Sequence, residues 1–240
     1  MKRAMWVLVC AGTVTFACAV SAGEMSLPPE MAGLVQVKAR NLDAVYLLPN
    51  TDFNKYRKVI IDPAEVAFHK DWMSNINRNQ RSRRINEDDA KEIAEAARSG
   101  FADIWADAFR KAGYEPVTMP GPDVLRLSPG IANLYINAPE KTQPTGNSHT
   151  YSVDAGEATL VLQVRDSDTG ATLGMVFDRA RAGNYAGELM WTTRVSNRSD
   201  FGVLFRKWAN FAVSGLQQLK INAPAAASQS TAASDEPPKR

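Results

Sequence analysis

The stretch ATLVLQVRDSDTGATLGMVFDR, residues 158–179, predicts a β-hairpin around which the rest of the chain is organised. Apolar and polar residues alternate on both arms, which is the period-two pattern of half-buried strands, with Val161 the exception on the first arm. The turn, residues 166–170, combines side chains that can bond their own backbone with a glycine suited to positive φ. The residues expected on an apolar face are Ala158, Leu160, Leu162 and Val164 on the first arm and Leu173, Met175 and Phe177 on the second.

Two segments on either side of the hairpin show helical periodicity. Residues 86–112 carry an apolar stripe, with Asn86 as N-cap, Asp89 at capping-box spacing and Gly113 at the position that ends many helices. Residues 200–220 carry a second apolar stripe of large aromatic and aliphatic side chains. Both segments therefore predict amphipathic helices that cover a sheet.

The other strand signals are shorter. Residues 56–68 predict a strand broken at Pro63, and residues 45–48 predict a short strand at a sheet edge. Residues 123–138 predict two strands separated by Pro129 and Gly130. Residues 69–84 are polar and predict a loop, which ends in Arg78, Arg81, Arg83 and Arg84. These arginines are either a patch for an anionic lipid or polymer or, as we favour, an exposed loop.

The order of these elements predicts an α+β fold, with a mainly antiparallel sheet and two long helices packed on one of its faces. A single domain is expected over residues 33–221. Residues 23–32 read as a spacer. Residues 222–240 are rich in Ala, Ser, Pro and charges without periodicity, and predict a disordered tail.

The first 22 residues have the pattern of a secretory signal peptide. Lys2 and Arg3 precede an apolar run, and small residues lead to a cleavage site between Ala22 and Gly23. The alternative is lipidation on Cys18, since residues 15–18 loosely match a lipoprotein box. Both cysteines of the chain lie within this segment. We therefore expect a periplasmic protein or, alternatively, an outer-membrane lipoprotein held to the membrane only through Cys18.

Composition excludes some classes of function. The 28 basic residues include Lys2 and Arg3, so that 26 basic and 26 acidic residues follow the signal segment and the net charge is zero. A neutral domain gives no electrostatic reason to expect nucleic acid as a partner.

Motifs for catalysis are absent from the sequence, so we expect no catalytic, cofactor or metal residues. There is no nucleotide-binding loop, nucleophile elbow or zinc-protease motif. The two histidines, His69 and His149, are far apart in sequence. Asp166 and Asp168 suit a turn better than a cation site. A carboxylate-based hydrolase is the weakest alternative, and its candidate residues are Asp62, Glu65 and Asp71.

Four stretches resemble a family of exported bacterial proteins called domain of unknown function 3313. They are LVQVKARNLDAVYLLPNTDF (residues 34–53), YRKVIIDPAEVAFHKDW (56–72), VLRLSPGIANLYINAP (124–139) and RDSDTGATLG (165–174). The resemblance covers residues 33–219 and implies an envelope protein of Gram-negative bacteria, often a lipoprotein, with no established activity. The weak lipoprotein box departs from the commoner pattern of that family.

Export, a neutral domain and the lack of catalytic motifs together predict a non-enzymatic binding or accessory module of the periplasm or outer membrane. Its expected partner is an envelope protein, a lipid or a glycan. The alternative is a lipid or small-ligand carrier, which would require a sizeable apolar pocket.

Overall fold

A computed structural model describes residues 31–79, 84–137, 139, 150–152, 154–183, 190–192 and 194–222, and shows an α+β fold. The predicted signal segment with Cys18, Ala22 and Gly23, nearly all of the spacer, and the tail from residue 223 lie outside these residues. The helices are α1 (Trp72–Asn79), α2 (Glu87–Lys111) and α3 (Arg194–Asn222), and a short 3-10 helix spans Phe53–Lys55. The strands are β1 (Val35–Val37), β2 (Ala44–Leu47), β3 (Lys58–Ile61), β4 (Glu65–Phe68), β5 (Glu115–Pro116), β6 (Val124–Ile136), β7 (Thr150–Ser152), β8 (Gly156–Asp166), β9 (Thr172–Ala182) and β10 (Met190–Thr192).

Strands β8 and β9 form the predicted hairpin at the middle of the main sheet. The sheet order is β1-β2-β9-β8-β6-β3-β5, β4 also pairs with β6, and β7 pairs with β10 in a separate ribbon. The turn between β8 and β9 places Gly170 at φ +73°, which confirms the prediction for this segment.

The hairpin is apolar on both faces, whereas the sequence indicated one apolar face. Leu162 lies opposite Val176, and directly opposed residues of an antiparallel pair share a face, so Val176 points toward the large core. Met175 instead packs with Met31 and Leu34 in a small cluster on the other face. A register shift beside Val164 breaks the simple alternation near the turn.

The sheet is mixed, because β6 runs parallel to β3 and β4 while its other neighbour, β8, is antiparallel. Most of the remaining pairs are antiparallel, as predicted. Parallel neighbours require a long crossover connection, and helix α2 lies in the connection between β4 and β6. The parallel pairs therefore follow from a helix that the sequence did predict.

Strand β6 is continuous, so the prediction of two arms separated at Pro129 was wrong. Pro129 is paired with Leu162 of β8. On its other side β3 ends at Ile61 and β4 begins at Glu65. Proline lacks the N–H that a strand donates, and here it lies beside a break in the neighbouring ladder, where its missing donor is tolerated.

One helix begins where the sequence predicts it, whereas a second was not predicted and a third begins earlier than predicted. Helix α2 begins with the predicted capping box, in which Asn86 and Asp89 exchange hydrogen bonds of 2.9 Å. Helix α1 occupies part of the predicted loop because Trp72 and Ile76, one turn apart, are both buried. Helix α3 begins at Arg194, six residues before the predicted start.

One hydrophobic cluster joins the helices to the sheet. It contains the aromatic side chains of α2 and α3 together with the inward residues of β6 and β8. Among the described helices, none has the length and apolar character that crossing a membrane requires. The largest fully buried members of this cluster are Trp72, Trp105, Trp208, Tyr56, Phe101, Phe109, Leu125, Ile131, Leu134, Leu160 and Val59.

Candidate functional site

The three carboxylates suggested for hydrolysis have different surroundings. Asp62 accepts hydrogen bonds from Arg126 Nε (2.9 and 3.1 Å) and from Ser128 Oγ (2.6 Å). Partial burial raises the pKa of Asp62, but these donors outweigh it and hold the pKa below its ordinary value. Glu65 and Asp71 are exposed, on β4 and just before α1. Asp62 is thus an ionised partner of Arg126 rather than a proton donor.

Asp166 has a structural role in the hairpin turn. Its Oδ1 accepts hydrogen bonds from the N–H groups of Asp168 and Thr169, and its Oδ2 accepts from Lys55 Nζ and Tyr56 Oη. Burial raises the pKa of Asp166, but these donors hold it far below the ordinary value for aspartate. The turn interpretation agrees with these contacts, since both oxygens are occupied by donors of the protein.

A second buried carboxylate, Asp178, lies on the core face of β9, where the sequence pattern had grouped it with the polar residues. Trp208 Nε1 donates a hydrogen bond of 2.7 Å to Asp178 Oδ2. Burial raises the pKa of Asp178, and this hydrogen bond offsets part of the increase.

An apolar cleft of about 700 Å³ lies between α3 and the sheet. Its floor crosses four strands. Val45 of β2, Val176 of β9 and Leu162 of β8 lie side by side in register, and Leu127 of β6 lies opposite Val164 of β8. Volumes from about 300 to 1,000 Å³ are typical of small-ligand sites. The cleft therefore has the size and the lining that the carrier hypothesis requires.

Small side chains on the second half of α3 leave space for the cleft, between larger lining residues such as Leu216 and Leu219. Trp208 fills the space against the sheet near the middle of the helix, whereas Ala212 and Gly215 line the cleft one and two turns later. A Cβ atom built on Gly215 would meet no atom within 4 Å. The space beside Gly215 is open, and a larger side chain there would project into it.

The mouth of the cleft carries positive charge. Lys38 and Arg40, in the connection between β1 and β2, are exposed, and among the described residues that line the cleft they are the only charged ones. Neither forms an ion pair with another described residue. The remaining polar lining residues are Asn41, Ser214 and Gln218.

The sequence interpretation missed this site. The apolar face of the second predicted helix included Ala212 and Gly215, and these two small residues were a signal that space would open beside them. Lys38 and Arg40 gave no comparable signal, because their position depends on β2 pairing with β9. His149 lies outside the described residues, and among the residues described there is no group of three or more metal-ligating side chains.

Comparisons with known proteins identify a family but no characterised relative. The model of the family described as "Protein of unknown function (DUF3313)" matches residues 29–211. No curated protein matches the chain. Solved structures that are similar in part include the PelC dodecamer from Paraburkholderia phytofirmans and a Xanthomonas campestris protein of family DUF330.

The likeness to these two structures is distant. The PelC match has 15% identity and a TM-score of 0.32, and it covers 68% of this chain and 93% of PelC. The Xanthomonas match has 9% identity and a TM-score of 0.33, with 68% and 87% coverage.

Proposed function

The chain belongs to the DUF3313 family of proteins of unknown function, and from that premise we propose that it is a non-enzymatic binding module of the bacterial cell envelope. The single observation that supports this function most strongly is the cleft of about 700 Å³ beside α3. An apolar concavity with few polar groups is suited to holding an apolar ligand rather than to activating a reacting bond.

Among the partners considered from the sequence, the cleft favours a lipid or small apolar ligand. Nineteen of the 24 described residues that line it are apolar or glycine. A slender apolar chain suits a cleft between a helix and a sheet better than a broad protein surface does, because such a surface would have to displace α3. The proposed binding function therefore corresponds to the carrier alternative from the sequence, and the residues that line the cleft are its candidate binding residues.

The experiment that tests the binding function is a fluorescence titration with N-phenyl-1-naphthylamine, a neutral apolar probe that becomes bright in an apolar environment. The variant Gly215→Phe places an aromatic ring in the open space of the cleft. Gly100→Phe is the matched control, because Gly100 also lies inside a helix with no atom within 4 Å of a built Cβ, yet does not line the cleft.

We expect saturable binding by the wild-type protein and by Gly100→Phe, and at least tenfold weaker binding by Gly215→Phe. Thermal melts of all three proteins establish that the variants are folded, and Gly215→Leu supplies a smaller obstruction if the phenylalanine unfolds the chain. Equal binding by folded Gly215 and Gly100 variants, or no binding by the wild type, would contradict the proposed function.

The compartment is a separate part of the proposal. Export through residues 1–22 gives a mature chain that begins at Gly23, and the competing arrangement begins at Cys18 with attached lipid. Intact mass of the protein from envelope fractions distinguishes the two. A mass that includes residues 1–22 would contradict export by either route.

A further inference from the structure

We propose that the ligand of the cleft is a single-chain amphiphile with an anionic headgroup, whose acyl chain lies on the apolar floor and whose carboxylate or phosphate lies beside Lys38 and Arg40. The inference rests on the proposed function and adds the chemical class of the ligand.

The charge at the mouth selects the headgroup. Lys38 and Arg40 line the cleft, no acidic residue does, and neither cation is paired with another described residue. Asp43 belongs to the same loop, but its Oδ2 already accepts a hydrogen bond of 2.8 Å from the backbone N–H of Arg179. An anion at the mouth would meet two cations without competition from a lining carboxylate, whereas a cationic headgroup would be repelled.

The apolar floor of the cleft determines the kind of tail that the ligand carries. Two rows of apolar residues cross the floor: Val45, Val176 and Leu162 form one, and Leu47, Val164 and Leu127 the next. Gly174 lies within the second row between Leu47 and Val164, and the side chain of Leu47 covers it, with Cδ2 2.9 Å from where a Cβ of residue 174 would stand. The rows therefore present a hydrocarbon surface, and burial of an acyl chain against such a surface is favourable because it removes apolar area from water.

Ser214 and Gln218 add polar groups to the edge of the cleft, beside the charged residues Lys38 and Arg40. They lie one turn apart on α3, both are exposed, and both belong to the lining. The cleft is therefore amphipathic, with polar groups from α3 and from the β1–β2 connection at its rim and hydrocarbon inside. This arrangement matches an amphiphile better than a wholly apolar molecule.

The test uses three ten-carbon ligands that differ in headgroup: decanoate, decan-1-ol and decyltrimethylammonium. Each competes, below its micelle-forming concentration, with N-phenyl-1-naphthylamine for the full-length protein. The variant Lys38→Glu/Arg40→Glu reverses the charge of the mouth. Lys70→Glu/Arg206→Glu is the matched control, since it makes the same change of net charge at exposed residues outside the cleft.

We expect decanoate to displace the probe at concentrations about tenfold lower than decyltrimethylammonium does, because its carboxylate is attracted by the two exposed cations and the ammonium group is repelled by them. The preference should be lost or reversed in Lys38→Glu/Arg40→Glu and kept in the control. It should also shrink near 1 M salt, where exposed charges are screened.

The outcomes separate this inference from the proposed function. Probe binding without a preference among the three headgroups would overturn the anionic ligand and leave the binding function standing. A preference that survives in Lys38→Glu/Arg40→Glu would also overturn it, because the two cations would then not be its cause. Failure of the neutral probe to bind would contradict the proposed function itself.

Discussion

Tyr56 Oη donates a hydrogen bond of 2.6 Å to Asp166 Oδ2, and so ties the chain before β3 to the turn of the central hairpin, 110 residues later. Lys220, near the end of α3, donates a bond of 2.6 Å to the carbonyl oxygen of the same tyrosine. Burial and the adjacent carboxylate raise the pKa of Tyr56 well above its ordinary value, so its hydroxyl stays a donor. Tyr56 therefore links the sheet, the hairpin turn and the helix that roofs the cleft.

Replacing Asp166 should destabilise the protein at neutral pH. Asp166→Asn removes the charge that accepts from Lys55 and Tyr56, and we expect a loss of about 1–3 kcal/mol in the free energy of unfolding, measured by urea denaturation. Asp168→Asn is the control, because Asp168 is exposed in the same turn and should change stability by less than about 0.5 kcal/mol. Equal effects of the two substitutions would refute a special role for Asp166.

The pH dependence of that effect has a definite sign. The pKa of Asp166 is lowered in the folded protein, so its stabilising contribution is present above the ordinary aspartate pKa of about 3.9 and is lost as the pH falls through the acid range. The stability difference between wild type and Asp166→Asn should therefore shrink on acidification. A difference that is constant from pH 7 to pH 3 would show that charge is not its origin.

The contribution of Asp178 to stability should depend on pH in the opposite way. Its pKa is raised, so its contribution is fully present below the ordinary aspartate pKa and is lost as the pH rises through the raised value. Asp178→Asn retains an acceptor for Trp208 and removes the buried charge, whereas Asp178→Ala leaves the indole N–H without a partner. At pH 7 we expect Asp178→Asn to be more stable than Asp178→Ala by about 1–3 kcal/mol. Indistinguishable denaturation midpoints for the two variants would contradict the pairing with Trp208.

Two glycines should respond differently to alanine. A Cβ on Gly174 would lie 2.9 Å from both Leu47 Cδ2 and the carbonyl oxygen of Tyr46, so Gly174→Ala should cost about 1–3 kcal/mol in unfolding free energy. A Cβ on Gly215 meets open space, and Gly215→Ala should stabilise α3 by up to about 1 kcal/mol. A destabilising Gly215→Ala, measured by thermal and urea unfolding, would mean that the space beside α3 is already filled.

The sequence predicted features that depend on near neighbours in the chain. The capping box of Asn86 and Asp89 and the turn that ends at Gly170 are decided within a few residues, and both were confirmed. Pro129 shows the limit of local reasoning, because its tolerance within β6 depends on the break between β3 and β4, about 65 residues earlier in the chain.

The candidate site illustrates the same limit. The alternation of polar and apolar residues along β9 groups Asp178 with the polar ones. Asp178 is nevertheless buried, because Trp208 of α3 covers it and donates a hydrogen bond to it. The cleft brings together the β1–β2 connection and the second half of α3, which are separated by most of the domain. The small residues of α3 were visible in the sequence, but the cations opposite them become part of a site only when the sheet is assembled.

The most direct measurement of the central claim is protection of a cysteine placed at the rim of the cleft. In Ser214→Cys the new thiol replaces an exposed cleft-lining hydroxyl, and Ser99→Cys places the same thiol on the exposed side of α2 as a control. Maleimide modification at each position is followed by peptide mass spectrometry with and without saturating decanoate. We expect at least fivefold slower modification at position 214 and no change at position 99. Unchanged modification at position 214, while decanoate fully displaces the fluorescent probe, would place the ligand outside the cleft and contradict the proposed function.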